Sequence, residues 1–235
     1  MAAAIEETDV PKPTATVSLK FPHLACFVAK RNSGKTHLMK YLLYNEARKQ
    51  SFKSVFVISP TSFNGEWADI LGKKSVSNIY SAAWLERLLD AQAKLVKKGK
   101  PNEMLLIMDD CVGSAKFSDE VMVKIAIAGR HYKLTCWISS QGYTKISPLI
   151  RTNSDYMFIL NKVPRPVVEH LLEEFPPDDD ALCDWKSLAA FASKVTQDYG
   201  VMLIDNSGGR TKHLRIRAPA KLPQFKISWI SLSWD

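Results

Sequence analysis

Three polar clusters at the ends of apolar runs carry side chains suited to chemistry on phosphate: Gly34-Lys35-Thr36, Asp109-Asp110 and Gln141. The first completes Ala29-Lys30-Arg31-Asn32-Ser33-Gly34-Lys35-Thr36, which follows the apolar run Leu24 to Val28. A buried strand, a tight loop and a Gly-Lys-Thr opening a helix are the parts of a P-loop. Loop N–H groups and the positive helix end face an anion, Lys35 reaches the outer phosphates, and Thr36 offers its hydroxyl to Mg²⁺. Residues 29–36 are therefore the expected binding site for ATP with its magnesium. One position departs from G-x-x-x-x-G-K-[ST]: Ala29 replaces the first glycine, and it serves only if that position needs no positive φ. The bland alternative is an ordinary helix start with a solvated lysine.

Asp109 and Asp110 close the apolar run Met104 to Met108, where a Walker B motif sits. Asp109 is assigned to the metal, and Asp110 to the water that attacks the γ-phosphate. An isolated pair of this kind would cap a helix or solvate a strand end; the phosphate loop upstream favours the catalytic reading. In P-loop ATPases with an inserted strand, that strand lies between the P-loop strand and the Walker B strand, and its end points at the γ-phosphate. Gln141, after Trp137-Ile138-Ser139-Ser140, is accordingly assigned as the polar sensor rather than a plain turn residue. Transition-state charge also calls for a cation, often an arginine from a neighbour. Arg130, before the fourth strand, is preferred; Arg151, beyond that strand, and Arg31, inside the loop, are the other candidates.

The elements that must position these groups follow from hydrophobic pattern. Continuous apolar runs predict strands at Leu24 to Val28, Val55 to Ile58, Met104 to Met108, Leu134 to Ile138 and Tyr156 to Leu160. Strands apolar on both faces suit a parallel sheet covered by helices. Helical spacing falls from Lys35 to Gln50, from Trp84 to Val96, and from Ser118 to Ala128, with Ser118 as cap. The expected fold is α/β: a P-loop NTPase of the ASCE type, with a mainly parallel five-stranded core sheet flanked by helices. Residues 1–16 form a mobile tail, 17–165 the ATPase core, and 166–235 a C-terminal extension. That extension should hold a helix over 166–175, a second helix capped within Pro176 to Asp180, and a hairpin of 200–204 with 211–217. Its last part alternates Phe225, Ile227, Trp229, Ile230, Leu232 and Trp234, slips phase near Trp229, and should dock on the domain or on a neighbour.

The 235 residues are 46% hydrophobic and 24% charged, a globular composition, with a net charge of +8 that suits a polyanion such as nucleic acid. Arg210, Lys212, Arg215 and Arg217 are candidates for DNA phosphates, in contacts that read no sequence. A solvated edge kept basic against aggregation is an equal alternative. Cys26, Cys111, Cys136 and Cys183 show no paired spacing, so a reducing compartment is expected. The acidic start lacks an apolar signal core, and no run approaches membrane-spanning length, so secretion is not expected.

The order AKRNSGKT (29–36), VISP (57–60), LLIMDDC (105–111), GRHYKLTCWISSQ (129–141) and PLIRTNSDYMFIL (148–160) resembles the genome-packaging ATPases of large and mid-sized double-stranded DNA viruses, within the FtsK/HerA superfamily. The likeness covers about residues 20 to 165. Two positions depart: Ala29, and Asp110 where many of that superfamily carry Glu, one carbon longer. The resemblance implies a homo-oligomeric ring that pumps duplex DNA into a preformed capsid, in the virion or in the cytoplasm or nucleus of the host cell. The residues themselves give an ATP·Mg site and a basic surface. A P-loop kinase for small acceptors and a non-catalytic nucleotide-binding scaffold are the competing readings.

Overall fold

The computed structural model describes residues 17–49, 51–61, 65–100, 102–111, 119–161 and 163–227. The five apolar runs form strands β1 (Leu24–Val28), β2 (Ser54–Ile58), β4 (Met104–Met108), β5 (Leu134–Ser140) and β6 (Tyr156–Ile159), every residue of them buried. All five run parallel. They are the core of an eight-stranded sheet, because three further strands extend it. A two-residue strand β3 (Val76–Ser77) pairs parallel with β2, and it is too short to leave a periodic trace. On the other side, β7 (Val201–Asp205) and β8 (Lys212–Ile216) add antiparallel to β6. The hairpin expected in the C-terminal extension is therefore hydrogen-bonded into the same sheet.

The spatial order is β3-β2-β4-β5-β1-β6-β7-β8. The fourth long strand, β5, is inserted between β1 and β4 as expected. Register aligns Val28 with Ser140 and Met108 with Ile138, so three strands end along one edge. β5 runs two residues past the predicted end and takes Ser139 and Ser140 into the ladder, an extension that matters for the site.

Side chains alternate between the two faces. One face carries Cys26, Phe56, Leu106, Ile138 and Met157; the other carries Phe27, Val57, Leu105, Trp137 and Phe158. Helix α1 (Lys35–Arg48) covers the second face through Leu38, Leu42 and Leu43. The first face is covered by α3 (Ala82–Lys97), α4 (Glu120–Ala128), α6 (Arg165–Glu174) and α7 (Trp185–Val195). Short α2 (Ala68–Leu71) and α5 (Pro148–Thr152) complete the chain order. Both faces being covered explains why the core strands carry no polar–apolar alternation.

Two helix starts differ from expectation. The N-cap of α4 is Asp119, with Ser118 outside the described residues. The cap of α7 is Asp184, whose carboxylate accepts from the N–H groups of Lys186 and Ser187. The upstream acids serve another turn: Asp179 caps the 3-10 turn Asp180–Leu182. Of the final segment, Phe225 packs on Tyr44 and the Ile227 N–H donates to the Ile70 carbonyl at 2.8 Å, so this part docks on the domain. Trp229, Ile230, Leu232 and Trp234, like the predicted tail 1–16, lie outside the described residues.

Candidate active site

β1 delivers the chain into the loop 29–34 at the carboxyl edge of the sheet. Ala29 is not among the positive-φ residues, so its methyl group is tolerated; the left-handed positions are Asn32 and Gly34, at φ 57° and 85°. Gly34 caps α1, and glycine takes that φ at no steric cost. The Ala29 N–H donates to the Ser140 carbonyl at 3.1 Å, joining the loop to the end of β5. The Lys30 N–H donates to Asn161 Oδ1 at 2.9 Å, fixing the loop from the β6 side. Lys30, Arg31 and Asn32 are exposed, and Ser33 and Gly34 half-buried.

Lys35 is buried and folds back over the loop. Its Nζ donates to the Ala29 carbonyl at 3.0 Å and lies 3.2 Å from Asp110 Oδ1. Thr36 Oγ1 donates to Asp109 Oδ2 at 3.1 Å. The P-loop lysine, the P-loop threonine and both acids thus meet at one place, as the motif order required. Asp110 sits at φ 53°, a left-handed conformation that aspartate tolerates better than most residues.

Two groups that the motifs do not name hold the acids in place. Ser139 Oγ donates to Asp109 Oδ1 at 2.8 Å and accepts from the Asp110 N–H at 2.8 Å. Trp67 Nε1 donates to Asp109 Oδ2 at 3.0 Å from a side chain that is itself buried. Burial raises the Asp109 carboxyl above the ordinary range; hydrogen bonds from Trp67, Ser139 and Thr36 pull it back, and Asp110 pushes it up. A signal for Ser139 existed: polar residues closing a wholly buried strand need partners. Nothing in the local pattern singled out Trp67, whose 42-residue separation from Asp109 is closed only by the fold.

Gln141 follows directly after β5 and is exposed at the same edge as the loop. The arginine candidates fare differently. Arg130 lies before β5, at the opposite edge, and β5 is seven residues long. At about 3.3 Å per residue this separates it from the loop by roughly 20 Å. Within its own chain it lies near Asp155, whose carboxyl burial raises and whose neighbours, the Leu24 N–H and Arg130, draw down. Arg130 is therefore out of reach of the phosphate loop of its own chain.

Arg151 is not brought to the loop. It is buried, donates through Nε to both Glu174 oxygens and through Nη2 to Glu174 Oε1, gives Nη1 to the Ile146 carbonyl, and lies over the Tyr143 ring. It joins α5 to α6 instead of serving a phosphate. Burial alone would raise Glu174, but hydrogen bonds from Arg151 and Tyr143 and the Arg151 charge hold it below its usual value. Arg151→Met should cost about 3 kcal/mol in urea unfolding at neutral pH, because it strands a carboxylate that is only 13% exposed. Since the folded Glu174 is depressed, this contribution is present above the ordinary carboxyl range and fades as pH falls below it.

The basic hairpin alternates its side chains between the two faces of the sheet. His213 and Arg215 face with Ile204 and Met202, while Lys212 and Leu214 face with Asp205 and Leu203. Lys212 and Arg215 are exposed; Arg210 pairs with Asp178 at 3.5 Å. Arg217, just past β8, instead borders a cavity beside the phosphate loop.

The model for the poxvirus A32 protein family matches residues 17–218. An uncharacterized protein, 075L, of Invertebrate iridescent virus 6 is 28% identical over 184 residues, covering 77% of this chain and 69% of its own. An uncharacterized protein of Acanthamoeba polyphaga mimivirus is 25% identical over 214 residues, covering 86% and 70%. Among solved structures, the genome packaging NTPase B204 of Sulfolobus turreted icosahedral virus 2, in complex with AMPPCP, superposes with a TM-score of 0.61 at 17% identity, over 86% of this chain and all of that one. At that identity the likeness speaks for the fold, a mostly parallel P-loop sheet with flanking helices. With residues 17–218 of its 235 matched, the chain belongs to the poxvirus A32 protein family.

Proposed function

We infer that this protein is a genome-packaging ATPase, hydrolysing ATP to move double-stranded DNA into a viral capsid as a homo-oligomeric ring. The observation that carries the reading is the convergence of Lys35, Asp109 and Asp110 beside the end of the inserted strand β5. Family membership and the shared fold support the packaging role.

The donor set fits a hard divalent cation: Thr36 Oγ1 and Asp109 Oδ2 are oxygens 3.1 Å apart, and Asp109 is a buried carboxylate with a raised pKa. When bound, Mg²⁺ would neutralise charge on the β- and γ-phosphates. Lys35 exchanges Asp110 for phosphate oxygens as the triphosphate enters the loop. Asp110, released, accepts a proton from the water whose oxygen attacks the γ-phosphorus as the bond to the β–γ bridging oxygen breaks. Gln141 orients that water, and Arg130 of a neighbouring subunit completes the charge. Lys212 and Arg215, on the exposed edge, are the cations proposed to meet DNA phosphates. Among the described residues no helix is long and apolar enough to cross a membrane, and the proposed setting is the virion or the infected cell.

Phosphate release measured with and without duplex DNA tests the motor. A DNA-stimulated rate is the expected result. Transfer only to a small acceptor would make the protein a kinase, and tight binding without turnover a scaffold. Ser139→Ala should raise the Mg²⁺ concentration for half-maximal turnover by roughly 10-fold or more, since Asp109 loses the hydroxyl that orients it. A Mg²⁺ titration at saturating ATP checks this.

A further inference from the structure

A cavity of about 460 Å³ opens directly beside the phosphate loop. The fold builds it from the C-terminal extension. β7 lies antiparallel to β6, with Met202 against Ile159, which sets Val201 near Leu160 at the loop edge. β8 pairs Ile216 with Val201, and the chain then leaves the sheet at Arg217 and crosses above α1. Its Pro219 carbonyl lies 2.7 Å from His37 Nε2, which fastens the crossing to the first turn of α1. The space enclosed is bordered by Asn32, Ser33 and Gly34 on one side and by Tyr199, Arg217 and Pro219 on the other.

We propose that this cavity receives the base and ribose of the nucleotide, with Tyr199 as the stacking platform and Arg217 as the cation toward the ribose and inner phosphate. The proposal rests on the phosphate-loop reading and extends it to segments that no motif marks. The cavity is continuous with the loop through Asn32, Ser33 and Gly34, so a nucleoside attached to a cradled triphosphate has this space next to it. Its size lies within the range of roughly 300–1,000 Å³ typical of small-ligand sites.

Tyr199 is 76% exposed, the largest exposure of any sizeable apolar side chain described. It is held at φ 57°, after Asp198 at φ 51°. Two successive left-handed residues without glycine are an uncommon backbone arrangement for L side chains. The residue after them passes close to the end of α7, where a Cβ on Gly200 would stand 2.0 Å from the Val195 carbonyl oxygen. An aromatic ring presented in this way at a cavity mouth is a surface on which a planar base stacks. Arg217 has no ion-pair partner among the described residues, unlike Arg210 and Arg151, so its charge is available. Its place beside the loop separates it from the cations of the hairpin edge.

Competition binding with ATP and with inorganic tripolyphosphate, which lacks base and sugar, separates this subsite from the phosphate loop. Tyr199→Ala should weaken ATP binding roughly 10-fold and leave tripolyphosphate binding unchanged. Tyr199→Phe, which keeps the ring, should bind ATP like the parent. Arg217→Ala should likewise weaken ATP alone. Unchanged ATP affinity in both alanine variants would overturn the assignment. So would an equal loss for ATP and tripolyphosphate, which would report damage to the loop. If the parent binds tripolyphosphate no better than Lys35→Met protein, the phosphate-loop reading itself fails, and this one with it.

Discussion

Lys35→Met is expected to lose nucleotide binding and to cut ATP turnover by at least roughly 10²–10³-fold, the scale seen when one preorganised charge stabiliser is removed. The structure says why the loss should be functional and not a failure to fold. Lys35 is only 5% exposed, and methionine fills most of its volume. The carboxylate it leaves, Asp110, is 25% exposed and can be solvated. The Ala29 carbonyl loses a donor, but the loop keeps the Ala29 to Ser140 and Lys30 to Asn161 hydrogen bonds. Equilibrium binding of ATP and phosphate release should therefore both collapse, while the thermal unfolding midpoint stays near the parent value. Retained turnover would remove the phosphate loop from the mechanism.

Asp110→Asn should separate the two steps that Lys35→Met removes together. Hydrolysis should fall by roughly 10²–10⁴-fold, the usual contribution of a positioned general base. ATP affinity should hold or rise, because Asp110 competes for Lys35 before nucleotide arrives, at 3.2 Å, and asparagine does not carry that charge. Asparagine also accepts the left-handed backbone at this position, so the turn after β4 is kept. Single-turnover hydrolysis together with equilibrium binding reads both quantities. Normal hydrolysis would sink the base assignment; a large loss of ATP binding would mean that Asp110 builds the pocket and not the reaction.

Much of this was legible in the chain because parallel core strands are uniformly apolar, and such runs are hard to mistake. Leu24 to Val28 and Met104 to Met108 match the observed strands end to end. The position of β5 between β1 and β4 followed from motif order, and the register agrees. What escaped was of two kinds. Short elements such as Val76–Ser77 carry too few residues for a period. Contacts between distant positions, such as Trp67 with Asp109 or Arg151 with Glu174, depend on tertiary closure. Arg151 shows the limit well: an arginine beyond the inserted strand looks like a charge for phosphate until its carboxylate partner on α6 is seen. Arg217 shows the converse: grouped in the sequence with the other basic residues of the hairpin, it is carried by the crossing after β8 to the cavity beside the phosphate loop.

The hairpin β7–β8 is coupled to the phosphate loop with no joint between them. From Arg215 the connection runs through Met202, Ile159 and Val28, each step a hydrogen-bonded rung of one continuous ladder. A pull applied along the outermost strand is shared by all the rungs in parallel, so the sheet resists it as a plank resists shear. Whatever grips that outer edge is geared stiffly to the catalytic rim, and a stroke made at one side arrives at the other with little slack.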